Sequence, residues 1–537
     1  MSYTPLRTPF TQMSFTPDVP SNALGANEYN NGSNVEADVR GIKKIGGEEE
    51  ILSTITDMPI FMEGGFRSES QWVYIVATRD SSSHGKWWMI TSSGITNITP
   101  GVGGNPSIYL PGYTENINIT TSWVGNVFFI NDGISNPMYF LPTNTEITVT
   151  SNANWNYDVG VNATRAGFVR NFCSPNVGNI LIAGNITKDL SSGSTVNYPT
   201  TVRWSQAFAN TGVPATWEPT LNNVANEQEV PVRGPLIDGF FLGANFYVCS
   251  YWDTVVFSPI AYQNTTAPIF GVRLFNQGRG LINNNCWSNT DSAVYGVDSR
   301  DIWVFNGSDF APLGNQKVRD YFFANLSTTY SDRIFMVNNT QKNQIEIYYP
   351  DLTSTGWCNK MLSWRYDLSI WNAPKDIANA CMATEGPVFT GGAFKYASRT
   401  VSYARGGASN TKLVQTNRGN SFINSAPIPA LFERNNITLQ TADGPVPYSS
   451  KVYAHRVLPE ISGTGTINIT VGGANSTAQP ATYGETETVS IVTDNPWVTT
   501  QQNNVRTLSV KVESNDATNT WNVTALNWQA TVTEDSF

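Results

Sequence analysis

Five carboxylates, Asp80, Asp253, Asp298, Asp301 and Glu346, are the residues with which this sequence could attempt hydrolysis of a glycosidic bond. That reaction needs two carboxyl groups flanking the scissile bond, one as acid and one as base or nucleophile. Indoles nearby would give a sugar ring a stacking face, and Trp204 and Trp217 bracket a loop in "VRWSQAFANTGVPATWEPT" (202–220). The same pair also reads as an aromatic wedge at the corner of a β-structure, and the few carboxylates close to it in sequence favour the wedge.

Other chemistry finds little support. The blade signature S-x-D-x-G-x-x-W of sialidases is missing, as is the phosphate-cradling G-x-x-x-x-G-K-[ST]. His84 and His455 are the only histidines, and neither has the spacing of a metal ligand or of a triad member. Asn131-Asp132-Gly133 and the stretch Val297–Asp301 are too poor in carboxylates for a calcium loop, and the first reads as a tight turn. The acidic "GGEEE" (46–50) reads as a solvated turn. Cys173, Cys249, Cys286, Cys358 and Cys381 lie far apart with no C-x-x-C pair, which predicts buried free thiols rather than a zinc site or a disulfide framework. No cofactor, no metal and no catalysis are expected.

The elements that must carry these residues are strands. Charged residues make up 14% of the 537 positions, well below the roughly 25% of average soluble proteins, while aromatics reach 12%. A net charge of −10 argues against a protein that grips nucleic acid by neutralising phosphates. The first residues lack a basic, apolar secretory leader, so a cytoplasmic site of synthesis is expected and N-x-[ST] triplets such as that at Asn97 follow from composition.

Short apolar runs recur in pairs separated by turn residues: "WVYIVAT" with "KWWMITSSG", "GNVFFINDG" with "PMYFLP", "GNILIAGN" with "TVRWSQ", and "ANFYVCSY" with "DTVVFSP". The unit returns across residues 292–307, 332–350 and 386–398, at steps of roughly 45 to 65 residues, a spacing that suits β-propeller blades with insertions. The expected fold is all-β: an extended arm or leader over 1–45, a β-propeller over 46–429, and a C-terminal β-sandwich-like platform over 430–537 with Trp521 and Trp528 in its core. One helix is expected in "NQKVRDYFFANL", where Val318, Phe322 and Leu326 share a face.

Several segments, taken in order, resemble the tail nozzle proteins of short-tailed bacteriophages, also called tail tubular protein B or phage stabilisation proteins. "NEYNNGSNVEADVRGIKKIGG" (27–47) is similar to the family's leader through Asn34, Val35 and Gly41, although Glu36-Ala37 stand where an Arg or aromatic is common. "VFFINDGISNPMYF" matches its strand, Asp132-Gly133 turn and second strand. Arg203, Trp204, Ser205 and Trp217 occupy its Trp-Ser strand and Trp-containing loop, and "DIWVFNGSDFAPLG", with Gly307, is followed in family order by "NQIEIYYP" and "KMLSWRYDLSIWN". The likeness spans about residues 27 to 375, and "VLPEISGTGTINITVGG" is similar to the closing β-domain.

The resemblance implies a structural virion protein of the short tail, assembled in the host bacterial cytoplasm as a homo-hexameric ring. Its implied partners are the head-to-tail adaptor, tail fibres or spikes, the host envelope, and viral double-stranded DNA passing through the lumen without sequence specificity. An acidic lumen would let that DNA slide, and the arm over 1–45 would dock on a neighbouring subunit or the adaptor. Two other readings are carried: a carbohydrate-binding or glycan-cleaving propeller, and a propeller scaffold that binds only protein.

Overall fold

A computed structural model describes residues 4–101, 110–149, 154–174, 178–260, 269–441, 444–445, 449–476, 479–492, 497–500 and 504–534. The fold is all-β, with many antiparallel sheets and one sheet curled into a half-barrel. Each sequence pair named above forms an antiparallel hairpin. Gln71–Arg79 pairs with His84–Thr91, Val127–Asn131 with Met138–Phe140, Gly178–Leu190 with Thr195–Trp204, and Asn245–Ser250 with Asp253–Pro259. Alternation sets the faces and Asn, Asp or Gly turns set the register.

The hairpins extend into up-and-down sheets that follow one another along the chain. Met58–Ser68 opens the first, Thr120–Val124 the second, Val161–Ser174 the third, Leu236–Leu242 the fourth and Trp287–Asn289 the fifth. Phe335–Asn339 opens a seven-stranded sheet. Its long strand Ile370–Thr390 changes partner midway: residues 370–380 pair with Cys358–Arg365, and residues 380–390 with Ala393–Arg405. Thr411–Thr416 follows, and the outermost strand is Glu48–Ile55, contributed from far upstream.

Apolar cores lie between successive sheets. Phe129, Trp155, Leu181 and Trp217 fill the space between the second and third, and Phe172, Trp204, Phe246 and Phe270 the space between the third and fourth. The one α-helix among the described residues, Arg319–Asn325, buries Phe322, with Val318 and Leu326 flanking it on the same buried face. Among the described residues no helix is long and apolar enough to cross a membrane.

Apart from the short ribbon Gln440–Thr441 with Gly444–Pro445, the C-terminal strands among the described residues form two further sheets, and the N-terminal residues are woven into both. Thr4–Pro9 runs antiparallel to Thr520–Glu534, the hairpin of Val35–Asp38 and Gly41–Lys44 pairs with the same strand, and Asn31–Ser33 pairs with Ile428–Ile437. Phe10, Met13, Phe15, Tyr29 and Ile42 are buried in a core shared with Phe432, Trp521 and Trp528. The stretch expected as an extended arm thus finds strand partners in its own chain; residues 1–3 lie outside the described residues. Composition hid this because each N-terminal strand is only two to six residues long and has no core until the C-terminal strands arrive.

Candidate functional site

The residues carrying the family likeness are structural in placement. Trp204 and Trp217 are both almost fully buried. The Trp204 indole donates to the Val224 carbonyl at 2.7 Å and packs edge-on to Phe270 of the next sheet. Trp217 meets Trp155 edge-to-face at 4.7 Å. Neither indole offers a face to a sugar.

Arg203 is wholly buried and ties down its surroundings. Its guanidinium donates to Glu227 at 2.7 Å, to Asp158 at 2.9 Å and to the Trp155 carbonyl, and stacks over Tyr157. Lys188 bridges the same two carboxylates, so two cations meet two anions. Ser205 accepts a hydrogen bond from the Leu181 amide. The Asp132 carboxylate caps the amides of Ile134 and Ser135 and accepts from the Tyr113 hydroxyl, while Gly133 takes the left-handed φ of +72° that the turn requires. Gly307 occupies a similar turn.

Asn34 clamps the N-terminal segment to the long strand: its amide donates to Asp376 and the Pro429 carbonyl, and its oxygen accepts from the Asp376 amide. Val35 is core. Gly41, at φ +141°, lies so close to the C-terminal strand that a Cβ would sit 2.4 Å from the Val523 carbonyl oxygen. Glu36, the departure from the family pattern, forms a buried ion pair with Lys342. Burial opposes its charge, yet the ammonium groups of Lys342, Lys43 and Lys375 outweigh that and hold the carboxyl down at about 2.

The candidate hydrolytic carboxylates are scattered and occupied. Asp80 braces the turn leading to His84, Asp253 is gripped by Arg233, and Asp298 and Asp301 share Arg279. Glu346 accepts from Asn339, Gln344 and Tyr348. His455 bonds to the Thr531 hydroxyl. All five cysteines are free; Cys249, Cys286 and Cys358 are buried as expected, whereas Cys173 is exposed and Cys381 only half-buried. In "GGEEE", Glu48 is buried against the Tyr403 hydroxyl and Glu49 and Glu50 reach Arg418 and Arg405, so the expected solvated turn is in part a strand.

A different set of polar residues converges where the first strands of the sheets meet. The Arg170 guanidinium grips Asp238 through two bonds, of 2.8 and 2.6 Å, and donates to the Thr121 carbonyl. Asp238, fully buried, also accepts from the Trp287 indole. The Asn338 amide donates to the Asn289 carbonyl, Thr340 donates twice to Glu385, and the Thr384 hydroxyl donates to Glu63. Thr121 interacts in turn with Glu63. The contacts therefore run through strands 58–68, 120–124, 161–174, 236–242, 287–289 and 335–339, pass by way of Thr340, just beyond the last of these, to strand 370–390, and return to their start. Glu63, Arg170, Trp287, Asn338, Thr384 and Glu385 of this set line a polar cavity of ≈320 Å³. Burial raises the Glu63 carboxyl above its ordinary value.

Sequence reading passed over this circuit, although a signal was present: Glu63, Arg170 and Asp238 each interrupt an apolar run, in "FMEGGF", "FVRNF" and "LIDGFF". A charge in such a run is costly unless paired. Among the described residues no group of three or more His, Cys, Asp or Glu is placed to hold a metal. The chain matches no protein-family model, and no curated protein matches it significantly.

Proposed function

We propose that the chain is a structural component of a short phage tail, one subunit of a nozzle ring that conducts and gates DNA and anchors fibres or spikes. Its sheets are read as seven four-stranded propeller blades. Six open with the strands starting at residues 58, 120, 161, 236, 287 and 335. The seventh comprises residues 380–390, 393–405 and 411–416 and is completed by Glu48–Ile55 from the N-terminal side. Closing a propeller with a strand from the other end of the propeller region ties first blade to last and removes two sheet edges.

The observation that carries the structural reading is the circuit of polar contacts that links the strands opening successive sheets. Arg170, Asp238 and Trp287 spend their hydrogen-bonding capacity on one another, and Glu63 accepts from Thr384, which suits a scaffold. A cavity of ≈320 Å³ is far too small to pass a duplex. A conduit must then lie between several copies, which agrees with the hexameric ring that the family resemblance implies. The N- and C-terminal strands, knitted into common sheets, would supply the platform. The glycan reading loses its stacking face with the burial of Trp204 and Trp217.

Electron microscopy of the purified protein, alone and mixed with tails lacking it, tests the proposal. A six-fold ring with an open central channel that completes the tails is the expected view. Solitary particles that leave the tails unchanged, at concentrations where ring subunits associate, would overturn it.

A further inference from the structure

Two pairs of exposed aromatic side chains stand together, Phe66 with Tyr396 and Tyr251 with Trp252; the second pair occupies one hairpin turn, 38% and 48% exposed, with ring centroids 6.1 Å apart. The turn is held firmly. The Gly278 amide donates to the Trp252 carbonyl at 2.6 Å, and the Trp252 amide donates to the Ser250 hydroxyl. The indole lies over Gly234, where a Cβ would be 3.3 Å from the ring.

Arginines border the pair. Arg233, 62% exposed, is fixed by two-point contact with Asp253, which lies buried beneath it. On the other side the Arg300 guanidinium lies close to Gly278, and the Arg319 side chain donates to the Arg300 carbonyl at 2.8 Å. Arg300 and Arg319 are exposed and enter no salt bridge among the described residues. Trp, Tyr and Arg are the residue types that carry most binding energy at protein interfaces, and here their backbones are ordered before any partner arrives.

The charge balance identifies the class of partner. Arg233, Arg279, Arg300 and Arg319 give +4, and Asp253, Asp298, Asp301, Asp320 and Asp18, whose carboxylate accepts from the Asp320 and Tyr321 amides, give −5, so the net charge is −1. A polyphosphate would find little long-range attraction. At contact range the surface is still cationic, because Asp253, Asp298 and Asp301 are buried while three guanidinium groups face outward. A carboxylate-bearing protein strand fits that pattern.

We infer that the Tyr251–Trp252 patch, with Arg300 and Arg319, docks on the acidic outer strand Thr482–Ser490 of a second copy of this chain. The inference rests on the ring reading and names its contact. Thr482–Ser490 is the terminal strand of its sheet, with Glu485 exposed and no strand on its outer side among the described residues. Glu487 on the same strand already binds the Thr499 amide, which leaves Glu485 as the carboxylate for the guanidinium groups. A self-complementary contact would set arginine against arginine, so two different surfaces must meet. Such a contact generates a ring when its rotation closes.

The test compares wild type, Trp252→Ala, Arg300→Glu, Glu485→Arg and the double variant Arg300→Glu/Glu485→Arg by mass photometry and negative-stain microscopy, with melting temperature as the folding control. The expected result is at least tenfold weaker ring assembly in each single variant at unchanged melting temperature, and recovery in the double variant. Rings at wild-type level in Trp252→Ala and Arg300→Glu would overturn the patch while leaving the ring reading intact. Loss in the single variants without recovery in the double would overturn Thr482–Ser490 as the occupant. Arg300-dependent duplex binding by intact rings would reassign the patch to nucleic acid, and a wild-type chain that is monomeric throughout would overturn both readings.

Discussion

Arg170 and Asp238 face each other from neighbouring sheets through two bonds, and each makes a further contact to a third strand: Arg170 to Thr121, Asp238 to Trp287. The pair therefore couples four strands from different sheets. Replacing Arg170 with Ala leaves a buried carboxylate unpaired and is expected to cost about 3–5 kcal/mol. Replacing both partners with apolar residues of similar volume, Arg170→Met with Asp238→Leu, should recover most of that loss. Urea unfolding of the single and double variants measures the difference, and an additive double variant would show that the two residues do not act as a unit.

Trp204 is expected to behave as core. Trp204→Ala removes an indole packed between two sheets and should destabilise by about 3–5 kcal/mol, whereas a sugar-binding platform residue would unfold at the wild-type denaturant concentration and lose only affinity on a glycan array.

Removing residues 1–45 takes away strand partners of Thr520–Glu534 and Ile428–Ile437 and uncovers Phe432, Trp521 and Trp528. The truncated chain should expose its C-terminal sheets to protease before its central sheets. A truncated protein whose C-terminal region resists limited proteolysis as well as wild type would contradict this pairing.

Glu36 links stability to acidity. Its carboxyl is held at about 2 in the folded protein, below the ordinary 4.5, so its contribution is complete above pH 4.5 and is lost as pH falls toward 2. Glu36→Gln should lower the melting temperature at pH 7 and narrow the difference from wild type as pH approaches 2.5, which calorimetry across that range would measure.

Cys173 is the exposed thiol of the five, while burial pushes the Cys286 thiol up to about 12. A thiol reagent applied to the native protein should modify Cys173 first. Peptide mapping that finds Cys249, Cys286 or Cys358 modified at the same rate would contradict the burial.

By itself the sequence determined the strands, most of the turns and the one helix. Short apolar, β-branched and aromatic runs such as "WVYIVAT" and "NFYVCS", buried almost throughout, Asn, Asp and Gly at turns, and the four-residue spacing of Val318, Phe322 and Leu326 act over a few residues and need no distant partner. The wedge at Trp204 was legible for the same reason, because an aromatic at a strand end points to the nearest layer. What only the tertiary structure decided was which strands meet. Thr4–Pro9 lies against a strand more than five hundred residues away, Glu48–Ile55 completes a sheet that begins at Phe335, Arg170 and Asp238 become partners across two sheets, and Glu63 meets Thr384 from a third and a fourth strand. Strand edges carry the same backbone donors and acceptors everywhere. The choice among edges is made by the burial and charge pairing that the whole chain gains when it closes, and no local pattern records that sum.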